Sequence, residues 1–263
     1  MSITSRANPK VKAASSLRDR RDRDRSGLFL IEGYREIYHA LKGGVEIKEL
    51  FFCEDLFLGS NEGDLLQEAE KEAELISTSK YVFQKLSYRD RPDGLLAVAK
   101  QMRRTLDQVE IKKENPLIII AEAIEKPGNL GTILRSGDAA GVDLVIVANG
   151  CTDIYNPNVV RASVGTLFTI PVVEATNEAA LLFCQKRGVS LLAATPEAKT
   201  LYTKAPMKEA VAIVVGTEQL GLSSFWKKAC DLHVSIPMHG VADSLNVATA
   251  TTLILFEAVR QRT

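Results

Sequence analysis

The chain of 263 residues has little of what metal centres and disulfide frameworks are made from. Its four cysteines, Cys53, Cys151, Cys184 and Cys230, lie far apart with no C-x-x-C pair. That spacing argues against a zinc site or a disulfide scaffold. The three histidines, His39, His233 and His239, form no metal-spaced cluster, so no metal is expected. No apolar run is long enough to span a membrane. The N-terminus is basic but lacks an apolar segment, which excludes a secretory signal. Formal net charge is zero, so composition alone does not announce a nucleic-acid partner. The G-x-G-x-x-G fingerprint and the P-loop are both missing, which removes the usual nucleotide signatures. These absences lead to the expectation of a soluble, reduced, cytoplasmic protein.

What is present is a hydrophobic content of 46 %, ordinary for a chain that buries a core. Charge is unevenly spread. Residues 1–30 carry eight basic side chains (Arg6, Lys10, Lys12, Arg18, Arg20, Arg21, Arg23, Arg25) against Asp19, Asp22 and Asp24. Such an excess favours phosphate contacts. It equally suits a solvated helix face laced by Asp–Arg pairs.

Two regions differ in texture. Residues 1–103 read as a small α/β unit of the βαβ type: a basic helix near 8–25, strands at 28–31, 47–53 and 95–99, and helices at 34–41 and 62–74. Residues 101–115 are polar and read as a linker. From 114 to 263 the apolar runs 117–121, 144–147, 191–194 and 211–215 suit strands buried on both faces of a mostly parallel sheet. Helical patterns at 130–140, 177–187 and 223–230 alternate with them. Ligands of such a sheet sit beyond the carboxyl ends of its strands. The last helix, from about Ser244, is uncharged from Val247 to Phe256, which calls for burial on all sides, in a core or against a second subunit.

Three motifs carry chemistry. In Asn129-Leu130-Gly131-Thr132-Ile133-Leu134-Arg135, the spacing makes Asn129 a helix cap and leaves room beside Arg135. In Gly216-Thr217-Glu218-Gln219-Leu220-Gly221, a glycine ends a buried strand, and Glu218 in an apolar context needs a partner, for which Arg135 is the natural choice. In Ile236-Pro237-Met238-His239-Gly240 and Ser244-Leu245-Asn246, the proline opens a loop and Ser244 is placed to cap the last helix. Free amides of that first turn suit an anionic or polar ligand group.

Together these pieces resemble the three motifs of the SpoU-type 2′-O-ribose RNA methyltransferases, a family of the trefoil-knotted SPOUT class. The segment Asn156-Pro157 to Gly165, with Arg161, also resembles the family's N-P-x-x-x-R-A-S-x-G stretch. Residues 1–100 more loosely resemble its N-terminal, ribosomal-protein-like RNA-binding extension, through 8–12 and 29–33. The resemblance implies S-adenosylmethionine as methyl donor, contacted by Gly216, Ile236, Met238 and Leu245, with Thr195 beside it. It implies that Arg135 activates the ribose hydroxyl and that Asn129, Glu218, Ser244 and Asn246 position the reacting groups. It further implies a homodimer and a structured, ribosomal RNA substrate. Transfer RNA and a non-catalytic ribosome-assembly role are the rivals. Thr217, Gln219-Leu220 and Ala248 depart from common family residues and bear on substrate choice.

Overall fold

The computed structural model describes residues 2–217 and 219–263. It divides into two compact units: residues 1–102 with 153–169, and residues 103–152 with 170–263.

The first unit begins with α1 (Pro9–Ser16) and α2 (Arg20–Ser26), where a single basic helix over 8–25 was expected. Asp19 breaks it: its side chain accepts from the Arg21 amide and caps α2. There follow β1 (Leu28–Glu32), α3 (Tyr34–Lys42), β2 (Ile47–Phe52), α4 (Glu62–Ala69), β3 (Glu74–Ser77), α5 (Lys80–Leu86) and β4 (Leu95–Lys100). The acidic helix over 62–74 therefore ends early, and its last residue opens a strand. The sheet order is β1-β4-β2-β3. Only β2 and β3 run parallel, while β4 is antiparallel to both neighbours, so the βαβ expectation holds for one crossover alone. On one face α1 and α5 bury Val11, Ala14, Leu17, Val82, Phe83 and Leu86 against Leu30, Phe51 and Leu96.

The second unit opens with residues 103–115. These do not form a free linker. Val109 is buried in the core of this unit, with Leu106 and Ile111 packed against it. After β5 (Leu117–Glu122), α6 (Pro127–Ala139) and β6 (Leu144–Ala148), the chain crosses into the first unit for α7 (Pro157–Ser163). That excursion covers the other face of the small sheet: Phe29 meets Tyr155 at 4.6 Å and Phe168 at 5.9 Å between ring centroids. Gly165, at φ +86°, lies so close to α3 that an added Cβ would stand 2.8 Å from Cβ of His39.

The second unit then continues with β7 (Val172–Ala175), α8 (Asn177–Lys186), β8 (Ser190–Ala194), β9 (Thr200–Leu201), β10 (Val211–Val215), α9 (Ser224–Ala229), β11 (Leu232–Ser235) and α10 (Val247–Arg262). Its strands form one parallel sheet in the order β7-β6-β5-β10-β8-β11-β9. All residues of β5, β6 and β10 are buried, as unbroken apolar runs require. The order reverses between β5 and β10, which makes the carboxyl ends there the place for a ligand crevice. Helix α10 packs on α6, where Ser136 and Thr252 share a hydrogen bond of 2.7 Å. Arg262 ties its end down by donating to the carbonyls of Asn115, Met207 and Glu209. Among the described residues no helix is long and apolar enough to cross a membrane.

Candidate active site

A cavity of about 500 Å³ opens beyond the carboxyl ends of β8, β10 and β11. Its floor is apolar, from Ala194, Val215, Leu222, Val234, Val247 and Ile254. Five of the expected cofactor contacts, Thr195, Gly216, Ile236, Met238 and Leu245, line it, and Ser244 joins them. Three separate loops thus converge on one hollow because their parallel strands end side by side.

The glycine loop is a closed turn. Thr217 and Gly221 exchange backbone hydrogen bonds of 3.1 Å, and the Leu220 amide donates to the Thr217 hydroxyl at 3.0 Å. A Cβ on Gly216 would lie 2.3 Å from the Gly221 carbonyl oxygen. Glycine is needed there by the loop's own backbone, before any ligand is considered. Glu218 lies outside the described residues.

Below this loop sits a buried polar network. The Glu122 carboxylate, at the end of β5, accepts from the Ser223 amide at 2.8 Å and from the Asn177 side chain at 2.8 Å. Asn177 in turn accepts from the Trp226 indole at 3.0 Å. Ser223 directly follows Leu222, so the network fixes where the glycine loop rejoins the fold. Each of these buried polar groups is partnered, which makes the arrangement rigid.

Two capping assignments are corrected. Helix α6 starts at Pro127, because proline suits the first turn, and Lys126 precedes it. Asn129 is therefore not the cap. Its side chain instead accepts from Asn246 at 3.1 Å. Helix α10 is capped by Asn246, which accepts from the amides of Ala248 and Thr249, and not by Ser244. Ser244 donates to Asp243 and faces the cavity. Asn129 lines a small recess with Thr217 and Val247, two residues that also border the cavity.

Arg135 is exposed on α6 and lines neither the cavity nor the recess. Within one chain, then, the structure joins Asn129 to Asn246 and leaves Arg135 outside. Arg161 is exposed on α7.

The cavity rim holds three charged residues that the motifs did not single out: Glu197, Lys227 and Asp243. The Thr195 hydroxyl donates to the Glu197 carboxylate. That bond first, then its own backbone amide and the positive charge of Lys227, hold Glu197 below the usual carboxylate range. The available signal was an acid three residues past a buried strand, in Ala194-Thr195-Pro196-Glu197. Among the described residues no cluster of His, Cys, Asp and Glu is arranged to hold a metal.

With this geometry in place, comparison with known proteins is specific. The SpoU rRNA methylase family model matches residues 116–256, and the MRM3-like substrate binding domain matches residues 8–97. A 23S rRNA (uridine(2479)-2′-O)-methyltransferase from Streptomyces viridochromogenes is 33 % identical, over 99 % of this chain and 92 % of that protein. The crystal structure of an RNA 2′-O ribose methyltransferase superposes with a TM-score of 0.87 at 42 % identity, covering 100 % of this chain and 99 % of that one. An AdoMet-bound rRNA methyltransferase from Sinorhizobium meliloti gives 0.90 at 29 % identity, covering 100 % and 98 %. The matched family segment contains all three sequence motifs and nearly every residue around the cavity, and on that ground the chain belongs to the SpoU rRNA methylase family.

Proposed function

We propose that this protein transfers a methyl group from S-adenosylmethionine to a ribose 2′-hydroxyl of ribosomal RNA. The observation that carries the reading is the convergence of Thr195, Gly216, Ile236, Met238 and Leu245 on one cavity at the strand ends. Its volume lies in the range that encloses a cofactor of that size, and its apolar floor with a polar rim suits a nucleoside carrying a charged tail. The cofactor supplies an electrophilic methyl group on a sulfonium. The ribosomal substrate follows the named activity of the Streptomyces relative and the family description. Under this reading the working compartment is the cytoplasm.

The protein's own task is then positioning and proton removal. A ribose hydroxyl is a poor nucleophile until its proton leaves. In-line displacement forms the O–C bond as the C–S bond breaks, so alignment dominates the rate. Asn129, Asn246 and Ser244 are assigned to hold the hydroxyl, which the Asn246–Asn129 hydrogen bond and the position of Ser244 on the cavity support, with Glu218 assigned to the same group by the motif. Arg135 is assigned to the activated hydroxyl and the substrate phosphate, for which its planar fork is suited.

Homodimerisation belongs to the same proposal. Leu253 (39 % exposed) and Phe256 (46 %) lie on one face of α10, with the cavity residue Leu245 also exposed. A symmetric pairing through this face would cover the apolar stripe. It would also bring an exposed Arg135 from α6, the helix against which α10 packs, toward a partner's cavity. The trefoil knot of the SPOUT class is proposed for the loops that follow β10 and β11. The first unit, with exposed Arg20, Arg21 and Arg161, is proposed to hold RNA. In the deciding experiment the protein, labelled S-adenosylmethionine and ribosomal RNA are incubated, and ribose methylation is mapped. A 2′-O-methyl mark at one site supports the reading. Label transfer only to transfer RNA, or none with ribosomal RNA in any assembly state, would overturn it.

A further inference from the structure

The rim of the cavity carries a carboxylate for which the chemistry of methyl transfer has no use. Glu197 lies three residues past the β8 strand end and lines the cavity. Its neighbour strand in the sheet, β10, ends in Gly216. Adjacent strands are about 4.8 Å apart, so the acid stands one strand to the side of the glycine loop. We propose that Glu197 accepts hydrogen bonds from the vicinal ribose hydroxyls of the cofactor's adenosine and so makes the site selective for a ribonucleoside methyl donor. The assignment rests on the cofactor reading above and extends it to one named group.

Three features favour the diol. An ionised carboxylate is acceptor-only, with about four lone-pair positions, and the Thr195 hydroxyl occupies one of them. That bond fixes the carboxylate while leaving acceptors for two hydroxyls on neighbouring carbons. Lys227 lines the same cavity and its charge acts on Glu197. A second ammonium, that of the methionyl tail, would meet repulsion from Lys227, whereas neutral hydroxyls would not. A separate carboxylate, Asp243, lines the cavity from the loop before α10 and is available to the tail. A glycine loop on one strand and an acid past the end of its neighbour is also the general arrangement by which open α/β sheets hold a ribose.

The test is a binding cycle, read by calorimetry on the full chain with S-adenosylhomocysteine. Glu197→Ala should weaken binding about tenfold to a hundredfold, the range expected for hydrogen bonds to a charged acceptor. The 2′-deoxy and 3′-deoxy analogues should bind the unmodified protein more weakly and lose little further in the variant. Thr195→Val should show a smaller loss in the same pattern, because it releases the carboxylate without removing it. An unchanged affinity for S-adenosylhomocysteine in Glu197→Ala would overturn the assignment. So would a loss that persists with the deoxy analogues but vanishes with methylthioadenosine, which lacks the amino-acid tail. Failure of the unmodified protein to bind S-adenosylhomocysteine at all would remove the cofactor reading itself, and this assignment with it.

Discussion

The two units handle charge differently. In the first, charge is drawn inside and used as a tie. Arg23 is 1 % exposed, pairs with Asp153 at 2.6 Å and donates to the Leu17 and Arg18 carbonyls. Arg18 donates to the carbonyls of Lys85, Leu86 and Ser87. Arg89 joins the buried Glu36 at 2.6 Å. In the second unit the central strands β6 and β10 are apolar throughout, the buried Glu122 at the end of β5 is held by neutral hydrogen-bond donors, and further charge collects on the cavity rim. A count of basic residues therefore says little about RNA binding in the first unit. Two of the five clustered arginines are structural, and Arg25 is engaged with Asp22.

The largest effect should come from Arg135. Arg135→Ala is expected to lower single-turnover methylation about 10²- to 10⁴-fold, the usual contribution of a proton-transfer group. Affinity for S-adenosylhomocysteine should be retained, since Arg135 does not line the cavity of its own chain. Arg135→Lys should rescue poorly, because lysine lacks the planar fork. Near-normal turnover in the Lys variant would remove Arg135 from the catalytic group.

Next come the tied arginines. Arg23→Ala leaves Asp153 without its partner in a buried pair, at a cost of about 3–5 kcal/mol to the first unit. Arg21→Ala, on the surface, should leave stability unchanged and reduce the salt dependence of RNA affinity by about one charge. Chemical denaturation and salt-dependent binding read the two separately. Equal stability of both variants would break the contrast drawn between them.

A smaller change sharpens the same contrast in the second unit. Gly216→Ala places a Cβ against the Gly221 carbonyl, so the loop must shift. The expected cost is about 1–3 kcal/mol, together with a clear loss of cofactor affinity. Gly63→Ala in α4, where nothing lies within 4 Å of the added atom, should be silent or mildly stabilising. If the two behave alike, the loop is not the closed turn described.

The parallel sheet was legible because its strands are unbroken apolar runs, as at 117–121 and 211–215. The outer strands β7 and β11 were not, β7 at one edge and β11 next to the other, because Val172–Ala175 and Leu232–Ser235 are short and mixed in polarity. Residues 101–115 look like a linker by composition. Yet Val109, with Leu106 and Ile111 packed at the same core, is enough to anchor them, since a few buried side chains outweigh local polarity. Helix starts misled in the same way. Asn129 and Ser244 are good caps in isolation, but Pro127 and Asn246 take the first-turn and capping roles and free the others for the site. The cavity contacts were legible only through the motifs. Glu197 escaped because Lys227, distant in sequence, is brought to the same cavity by the fold and not by spacing.

The smallest effect separates the units by pH. Burial pushes the Glu32 and Glu36 carboxyls of the first unit above their ordinary value. A raised folded value means the folded state holds protons more tightly than the unfolded chain. Protonation therefore favours folding below the unfolded value of about 4.3, and that contribution is lost as pH rises through the folded values. In the second unit, hydrogen bonds from Arg260 first and Gln261 next hold Glu257 down at about 2. Its contribution is complete above about 4.3 and is lost as pH falls toward about 2. Acidification from neutral to about pH 4.5 should thus firm the first unit and leave the second unchanged, and further acidification should weaken the second. Trp226, the sole tryptophan, reports the second unit by fluorescence, while five of the six tyrosines lie in the first and report it by absorbance. Urea midpoints followed by both signals across this pH range make the comparison. In Glu257→Gln the acid-side loss of the tryptophan midpoint should shrink while the tyrosine midpoint keeps its course. Parallel movement of both midpoints at every pH would show that the units share one electrostatic response, and the contrast between the raised carboxyls of the first unit and the lowered one of the second would fall.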